Sequence, residues 1–358
     1  MNIAFVIGSL SGGGAERVVA RLASQFSKNG HSVTVYMIAK NLIEYDIDAN
    51  VKTIFIKPTV SIRGVKYLER AYRLRQEINH SNHDVIISFT SGVSSFVMFA
   101  LKGTKHRVIL SERNNPYTDP HSPKMRKKRD QLYEKADGIV FQTQDAKNYF
   151  SQAIQSKSIV IVNPIGDDIP LPYEGERESV LVSVGRLEPQ KNHKLLIDAS
   201  FEVQKQYPSF TLKIYGEGAL KKQLEEQVTR LNLQNKVHLM GHSKNVLNDI
   251  KKATAFILPS DYEGISNALI EAMAIGLPVV STDHPIGGAR LLIDPGNTGL
   301  LSPVGDKDAL VQAILKILSD RTFANKISSK ALDVRRIASI SSVANEWLLF
   351  INKTISNK

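Results

Sequence analysis

The stretch that most limits how this chain can fold runs from Ala253 to Ser281. "ATAFILP" is a short apolar run closed by Pro259, the pattern of a parallel strand buried on both faces. The turn "SDYEG" follows, with Gly264 at its tip. Ala268, Leu269, Ala272 and Met273 then recur at helical spacing, which predicts a helix opening near Ser266 or Asn267. Gly276 and Pro278 end that helix, and "PVVS" reads as the next strand.

The same alternation fills the rest of the chain. "NIAFVI" is a strand, "GSLSGGGAER" a glycine-rich loop, and Ala15–Ser27 a helix closed by Gly30. The strands "SVTVYMI", "TIFI", "DVIISF", "RVILS", "GIVFQT" and "SIVIV" follow, most of them separated by helical segments. Residues 166–178 are rich in Pro, Gly and acid, have no period, and read as an interdomain linker. The alternation then restarts with "SVLVSVGRL", "FTLKIYGEG" and "KVHLM" and ends with "TGLLS". The fold class is therefore α/β, with two doubly wound parallel-sheet domains over 1–165 and 179–335. Within 336–358, Ile340, Val343, Trp347 and Ile351 form one apolar stripe on a final helix.

Composition removes several function classes. The chain has no cysteine, so it has no disulfide, thiolate metal site or cysteine nucleophile, which fits a reducing cytoplasm. No apolar run approaches the ~18 residues of a membrane span. The opening "MNIAFVIGSL" reads as a strand and not as a signal peptide. Net charge is +11 and unevenly placed. Residues 1–165 carry 23 Lys and Arg against 13 Asp and Glu, leaving +10, whereas the remainder carries 23 against 22. Polyanions, anionic headgroups and diphosphates are the partners such a half attracts.

The candidate chemistry lies in the turns. A helix starting just beyond a strand presents free N–H groups and a partial positive charge, an anion site that diphosphates use. Gly264 lets a ligand approach the backbone, and Glu263 and Glu271 can accept hydrogen bonds from vicinal hydroxyls. Glu271 stands among apolar neighbours, so its carboxylate needs a partner. In "GRLEPQKN", Arg186 lies past a strand and Lys191 at a helix start, where a cation is unfavourable unless something anionic is near. "SGGGAER" lacks both the dinucleotide G-x-G-x-x-G spacing and a P-loop's Gly-Lys-Ser/Thr.

Two glutamates eight apart in "EGISNALIE", followed by "EAMAIGLPVVST", resemble the signature of the family 4 retaining glycosyltransferases. "GGAE", "GRLEPQKN" and "YGEG" match that family's pattern too. The resemblance implies the GT-B architecture, two Rossmann-like domains facing across a cleft, with the final helix crossing back to the N-terminal domain. It implies a nucleoside-diphosphate donor, UDP-linked, carrying a hexose or N-acetylhexosamine. Arg186 and Lys191 would clamp the diphosphate as leaving-group charge develops, and Glu263 would act at the sugar. Gly13, Gly14, Gly185, Gly216, Gly218, Gly264, Ile265, Ser266 and Glu271 would line the donor site, with Glu271 at the ribose. Arg113 stands where relatives carry a histidine near the acceptor or sugar. Leu291 stands where they usually have an acid. The resemblance implies no cofactor and no metal, and, with no enzyme nucleophile evident, it implies attack on the front face with help from the leaving phosphate. The implied acceptor is a lipid-diphosphate-linked saccharide of bacterial surface-glycan synthesis, reached from the cytoplasmic face of the plasma membrane. A nucleotide-sugar epimerase of the same architecture and a non-catalytic membrane scaffold remain as alternatives.

Two basic clusters add to this. Arg63, Lys66, Arg70 and Arg73 fall on one face of a predicted helix, with Val65, Leu68, Tyr72 and Ile78 mostly elsewhere. "KMRKKR", from Lys124 to Arg129, is the second. The expected partner is an anionic membrane surface. Nucleic acid is not expected, because aromatics are not interleaved with the cations and no nucleic-acid module is present.

Overall fold

A computed structural model describes residues 1–356. The chain forms two compact units, one of Met1–Gly166 together with the segment from Ile340 onward, the other of Asp167–Ser339.

The first unit is built on a seven-stranded sheet. Its strands are β1 (Asn2–Ile7), β2 (Ser32–Met37), β3 (Lys52–Phe55), β4 (Val85–Phe89), β5 (Val108–Ser111), β6 (Gly138–Phe141) and β7 (Ser158–Val160). Their order is β3-β2-β1-β4-β5-β6-β7, and every adjacent pair is parallel. Ile3 to Ile7 have no solvent exposure, as a central strand covered by helices on both faces requires. Helix α1 (Gly14–Lys28) turns Val18, Val19, Leu22 and Phe26 into that core, and Gly30, at φ +83°, follows its end. Helix α2 spans Arg63–His80.

The final helix, Ile340–Ser356, belongs to this unit. Its apolar stripe is buried, and the Trp347 indole stacks on Phe89 with ring centres 5.7 Å apart. Phe350 packs so closely on Gly138 that a Cβ there would lie 2.9 Å from its ring. Truncating a buried tryptophan of this kind costs about 3–5 kcal/mol, so this stripe anchors the helix.

The second unit has β8 (Glu178–Val184), β9 (Thr211–Tyr215), β10 (Val237–Gly241), β11 (Ala253–Leu258), β12 (Val279–Thr282) and β13 (Leu300–Ser302). Their order is β10-β9-β8-β11-β12-β13, again parallel throughout. Most of the stretch expected as a linker is packed into this unit. Arg177 donates to the carbonyls of Ala253 and Gly276, at 3.0 and 2.5 Å. Arg335 is held in the same way by the carbonyls of Pro170 and Ala274, at 2.9 and 2.7 Å. The chain therefore leaves this unit only after Ser339.

In both sheets the strand order reverses beside the first strand, between β1 and β4 and between β8 and β11. Loops leaving the carboxyl ends of those two strands diverge, and the crevice they leave is where open α/β sheets bind ligands.

Candidate active site

In the second unit the reversal point is formed by the loops after β8 and β11, whose strands pair at Leu181 and Ala255. After β8 come Gly185 and Arg186, then a single 3₁₀ turn over Pro189–Lys191. Asn192 adopts left-handed geometry at φ +43°, and its side chain accepts from Leu195 N–H to start the helix His193–Gln206. After β11 come Pro259 to Ser266 and the helix Asn267–Ala274.

These two loops are stitched together. Lys191 Nζ forms an ion pair with Glu263 Oε1, with side chains only 14% and 9% exposed. Ser260 Oγ donates to the same oxygen at 2.9 Å, and Gln190 Nε2 donates to Glu263 Oε2 at 3.3 Å. Asn192 Nδ2 donates to Asp261 at 2.7 Å, and Asp261 N–H to the Gln190 carbonyl at 2.9 Å. The anion that the sequence requires near Lys191 is thus Glu263 itself. Arg186 is different. It is 59% exposed and reaches only its neighbour Glu188, at 3.2 Å. The expected clamp of Arg186 with Lys191 is therefore not assembled as a pair, and each cation has its own carboxylate.

The glycines serve backbone approach first. Gly216 sits at φ +143°, and a Cβ there would lie 2.0 Å from the Gly185 carbonyl oxygen. A Cβ on Gly218 would lie 2.4 Å from the Leu187 carbonyl oxygen. The loops after β8 and β9 meet here through Gly185 N–H to Tyr215 and Leu187 N–H to Glu217, both 2.9 Å. Any larger residue would part them. Gly264 is pressed equally closely, since a Cβ on Gly288 would lie 1.7 Å from its oxygen.

Ser266 holds the cap position of the helix Asn267–Ala274, yet its side chain caps nothing. Its Oγ is buried without a hydrogen-bond partner. Ile265 and Glu271 are buried beside it, at 6% and 4% exposure, as the apolar neighbours of Glu271 require. The helix start therefore carries a buried hydroxyl with no hydrogen-bond partner at its cap position, with the Glu271 carboxylate one turn further on. Two histidines lie within electrostatic reach of Lys191. His193 is buried with neither ring nitrogen bonded, and burial pushes its pKa down to about 4. His284 follows β12 and is also lowered by burial.

Gly13 and Gly14 lie in the first unit, at the carboxyl end of β1 where α1 begins. Gly12, not either of them, takes the left-handed φ of +71°, and Tyr45 donates to the Gly13 carbonyl at 2.9 Å. Arg113 is buried. Its guanidinium lies 4.4 Å from the centre of the Phe89 ring and 5.9 Å from that of Trp347, and donates to Asn163 at 2.8 Å. Burial lowers its pKa to about 9. It supports the packing of the final helix and presents no charge to solvent. Its neighbour Glu112 is buried too, raised to about 7 by desolvation, and accepts from Tyr133 Oη at 2.9 Å.

The basic clusters differ from expectation. Arg129 is buried and donates to the carbonyls of Pro116 and Asp119, while Arg126 holds those of Pro120 and His121. "KMRKKR" is thus in part the anchor of the loop before its own helix, Pro123–Tyr133. On α2, Lys66 and Arg70 are half-buried and Arg73 is paired with Glu69 at 2.9 Å. The side chain of Arg63 lies outside the described residues. The outward positions are apolar instead: Ile62 just before the helix (69% exposed), then Val65, Leu68 (58%) and Tyr72 (63%). Ala71, Leu74 and Ile78 face the core.

Sequence reading missed Thr90, which ends the β4 reversal loop at φ +73°, ψ +146°, a conformation costly for a β-branched residue. Ser91, next to it, donates to Asp119 at 2.5 Å. Nothing in the sequence marks it, because a β-branched residue does not favour that backbone conformation. Two Asp-x-Asp triplets, Asp46–Asp48 and Asp306–Asp308, also occur in the sequence. Asp48 accepts from Ser27 and Asn50, and Asp306 caps a helix at Ala309, so both have structural partners.

The model "Glycosyltransferase Family 4" matches residues 12–168, and "Glycosyl transferases group 1" matches 172–334. A Campylobacter jejuni N-acetylgalactosamine-N,N'-diacetylbacillosaminyl-diphospho-undecaprenol 4-alpha-N-acetylgalactosaminyltransferase is 30% identical over 94% of this chain and 97% of its own. This chain belongs to the family 4 glycosyltransferases. A second C. jejuni enzyme, which adds α-1,4-N-acetylgalactosamine to a GalNAc-containing undecaprenyl-diphosphate glycan, is 27% identical over 98% of both chains. Among solved structures, the glycosyltransferase superposes on Anabaena HepE, crystallised with UDP and glucose, at a TM-score of 0.84 with 20% identity over the whole of both chains. It superposes on the lipopolysaccharide outer core galactosyltransferase WaaB at 0.77, with 20% identity over 99% of each. At such identities these matches show the GT-B fold.

Proposed function

We propose that this glycosyltransferase moves a hexose or N-acetylhexosamine from a UDP-sugar to a lipid-diphosphate-linked saccharide, with retention and without a bound metal. The observation that carries the reading is the Lys191–Glu263 pair, set against a helix start whose Ser266 hydroxyl has no partner. A diphosphate arriving at that helix start would meet its N–H groups and the Ser266 hydroxyl. It would compete with Glu263 for Lys191 and draw in the exposed Arg186. Two cations then meet the charge that grows on the leaving group, an arrangement that acts mainly in the transition state. Glu263, released from Lys191, is free to accept from a sugar hydroxyl, and Glu271 from the ribose.

The acceptor class is supported by the C. jejuni relatives, both of which act on undecaprenyl-diphosphate glycans. It is supported also by α2. The outward Ile62, Val65, Leu68 and Tyr72, flanked by Lys66 and Arg70, suit a helix lying in the interface of an anionic membrane. Among the described residues no helix is long and apolar enough to cross one. The glycosyltransferase would then work from the cytoplasmic side, docked on the leaflet that holds its acceptor.

A thermal-shift screen over UDP-, GDP- and ADP-sugars tests the donor. A ligand at 100 times its dissociation constant adds ~2.7 kcal/mol, so UDP-sugars should raise the melting temperature clearly. A shift with GDP- or ADP-sugars and none with UDP-sugars would overturn the donor assignment.

A further inference from the structure

None of the chemistry above uses His284. It lies in the turn after β12 and has no solvent exposure. Its Nδ1 is 3.2 Å from the Pro285 carbonyl oxygen. A carbonyl only accepts, so Nδ1 carries the hydrogen and Nε2 is left as an acceptor in the neutral ring. Nε2 is buried without a hydrogen-bond partner. A buried acceptor left unmade is destabilising, so stability does not explain a histidine here. The ring also lies against the loop that carries Glu263: a Cβ on Gly288 would meet both the Gly264 oxygen, at 1.7 Å, and His284 Cε1, at 3.3 Å. The charged groups around it come from three elements. Glu263 comes from the β11 loop, Lys191 from the β8 loop, and Asp283 from its own turn, where Arg290 holds it at 2.7 Å.

We propose that His284 is a positioning residue for transfer: as the neutral Nδ1–H tautomer it leaves Glu263 free to exchange Lys191 for the sugar, and protonation at Nε2 makes it a rival cation that holds the carboxylate back. This rests on the donor-site reading above. Glu263 Oε1 already accepts from both Lys191 and Ser260. An imidazolium within electrostatic reach of it would compete for that carboxylate and oppose the charge of Lys191. Burial is the largest influence on the ring, and Lys191 also opposes its charging while Glu263 and Asp283 favour it. The ring is therefore neutral at pH 7 and gains its charge only below the ordinary histidine range.

Two measurements test this. Nitrogen NMR of the histidine-labelled protein should show His284 protonated at Nδ1, with its resonance assigned by its loss in His284→Gln. Its titration should move down in Glu263→Gln and up in Lys191→Met. In the pH profile of turnover at saturating UDP-sugar, the wild type should show an acid limb that disappears in His284→Gln. UDP affinity should be unchanged within about two-fold in that variant. An Nε2–H tautomer, a titration indifferent to both neighbours, or an identical acid limb in the variant would each overturn the proposal. Should His284→Gln fail to fold, the resonance is assigned through its proximity to Pro285, and tautomer and titration decide alone. A chain that transfers no sugar from any donor would sink the donor-site reading while leaving the NMR result to judge the electrostatics.

Discussion

At the scale of single residues, the site is made of charged groups paired with one another, Lys191 with Glu263 and Arg186 with Glu188. Glu263 and Glu271 look equivalent in the sequence, two carboxylates eight apart. In the fold they differ: Glu263 is held on a loop by Lys191, Ser260 and Gln190, whereas Glu271 stands inside a buried helix. Glu271→Ala should mainly raise the dissociation constant for UDP, measured by calorimetry, while Glu263→Ala should mainly lower turnover. Unchanged UDP binding in Glu271→Ala would remove its ribose role. Glu112 offers a test of a different kind. Desolvation raises its carboxyl to about 7, above the ordinary glutamate range, so the folded state holds its proton more tightly than the unfolded state does. Stability from this group is therefore present at pH 4 and lost progressively as the pH rises from about 4.5 through 7. Glu112→Gln should melt higher relative to wild type at pH 8 than at pH 5 in paired thermal scans. A difference independent of pH would mean that Glu112 is ionised in the fold.

At the scale of elements, periodicity located the helices better than it oriented them. Lys66, Arg70 and Arg73 of α2 share a face, as their spacing requires, but Lys66 and Arg70 are half sunk, and Glu69 and Thr59 engage Arg73. Long cationic side chains lie along apolar surface with ease, so charge alone does not identify the outer face. The exposed Val65, Leu68 and Tyr72 identify it instead. Val65→Ser/Leu68→Ser/Tyr72→Ser should bind anionic liposomes much more weakly than the parent in a flotation assay and transfer less to a lipid-linked acceptor, while still turning over a short soluble one. Undiminished liposome binding would show that the face serves something else. The strand-end loops were legible for the opposite reason. A glycine after a strand is needed wherever two backbones meet, and Gly216 and Gly218 meet the β8 loop at distances no side chain allows. The sequence reading assigned them to a ligand, because a lone sequence does not show the second backbone.

At the scale of the whole molecule, the two rounds of strand and helix specify two parallel sheets, and both have the expected doubly wound order. The units were legible because each strand is a short apolar run bounded by turn residues. The seams were not, because Arg177 and Arg335 tie down stretches whose composition looks like linker. Part of the candidate site could be read in the same way: Glu263 and Glu271 are buried and Lys191 stands just before a helix start, positions that simple solubility does not explain. The pairing of Lys191 with Glu263 could not be read, because the two are 72 residues apart and only the β8–β11 adjacency brings them together. That adjacency underlies the central proposal, that an arriving donor diphosphate draws Lys191 from Glu263 so that it meets the charge growing on the leaving group. The measurement that tests it most directly is single-turnover transfer from a UDP-sugar by wild type and Lys191→Ala, both checked for intact folding. The account predicts a loss of ~100-fold or more, the scale of removing one preorganised transition-state donor. Transfer by Lys191→Ala within a factor of a few of wild type would contradict it.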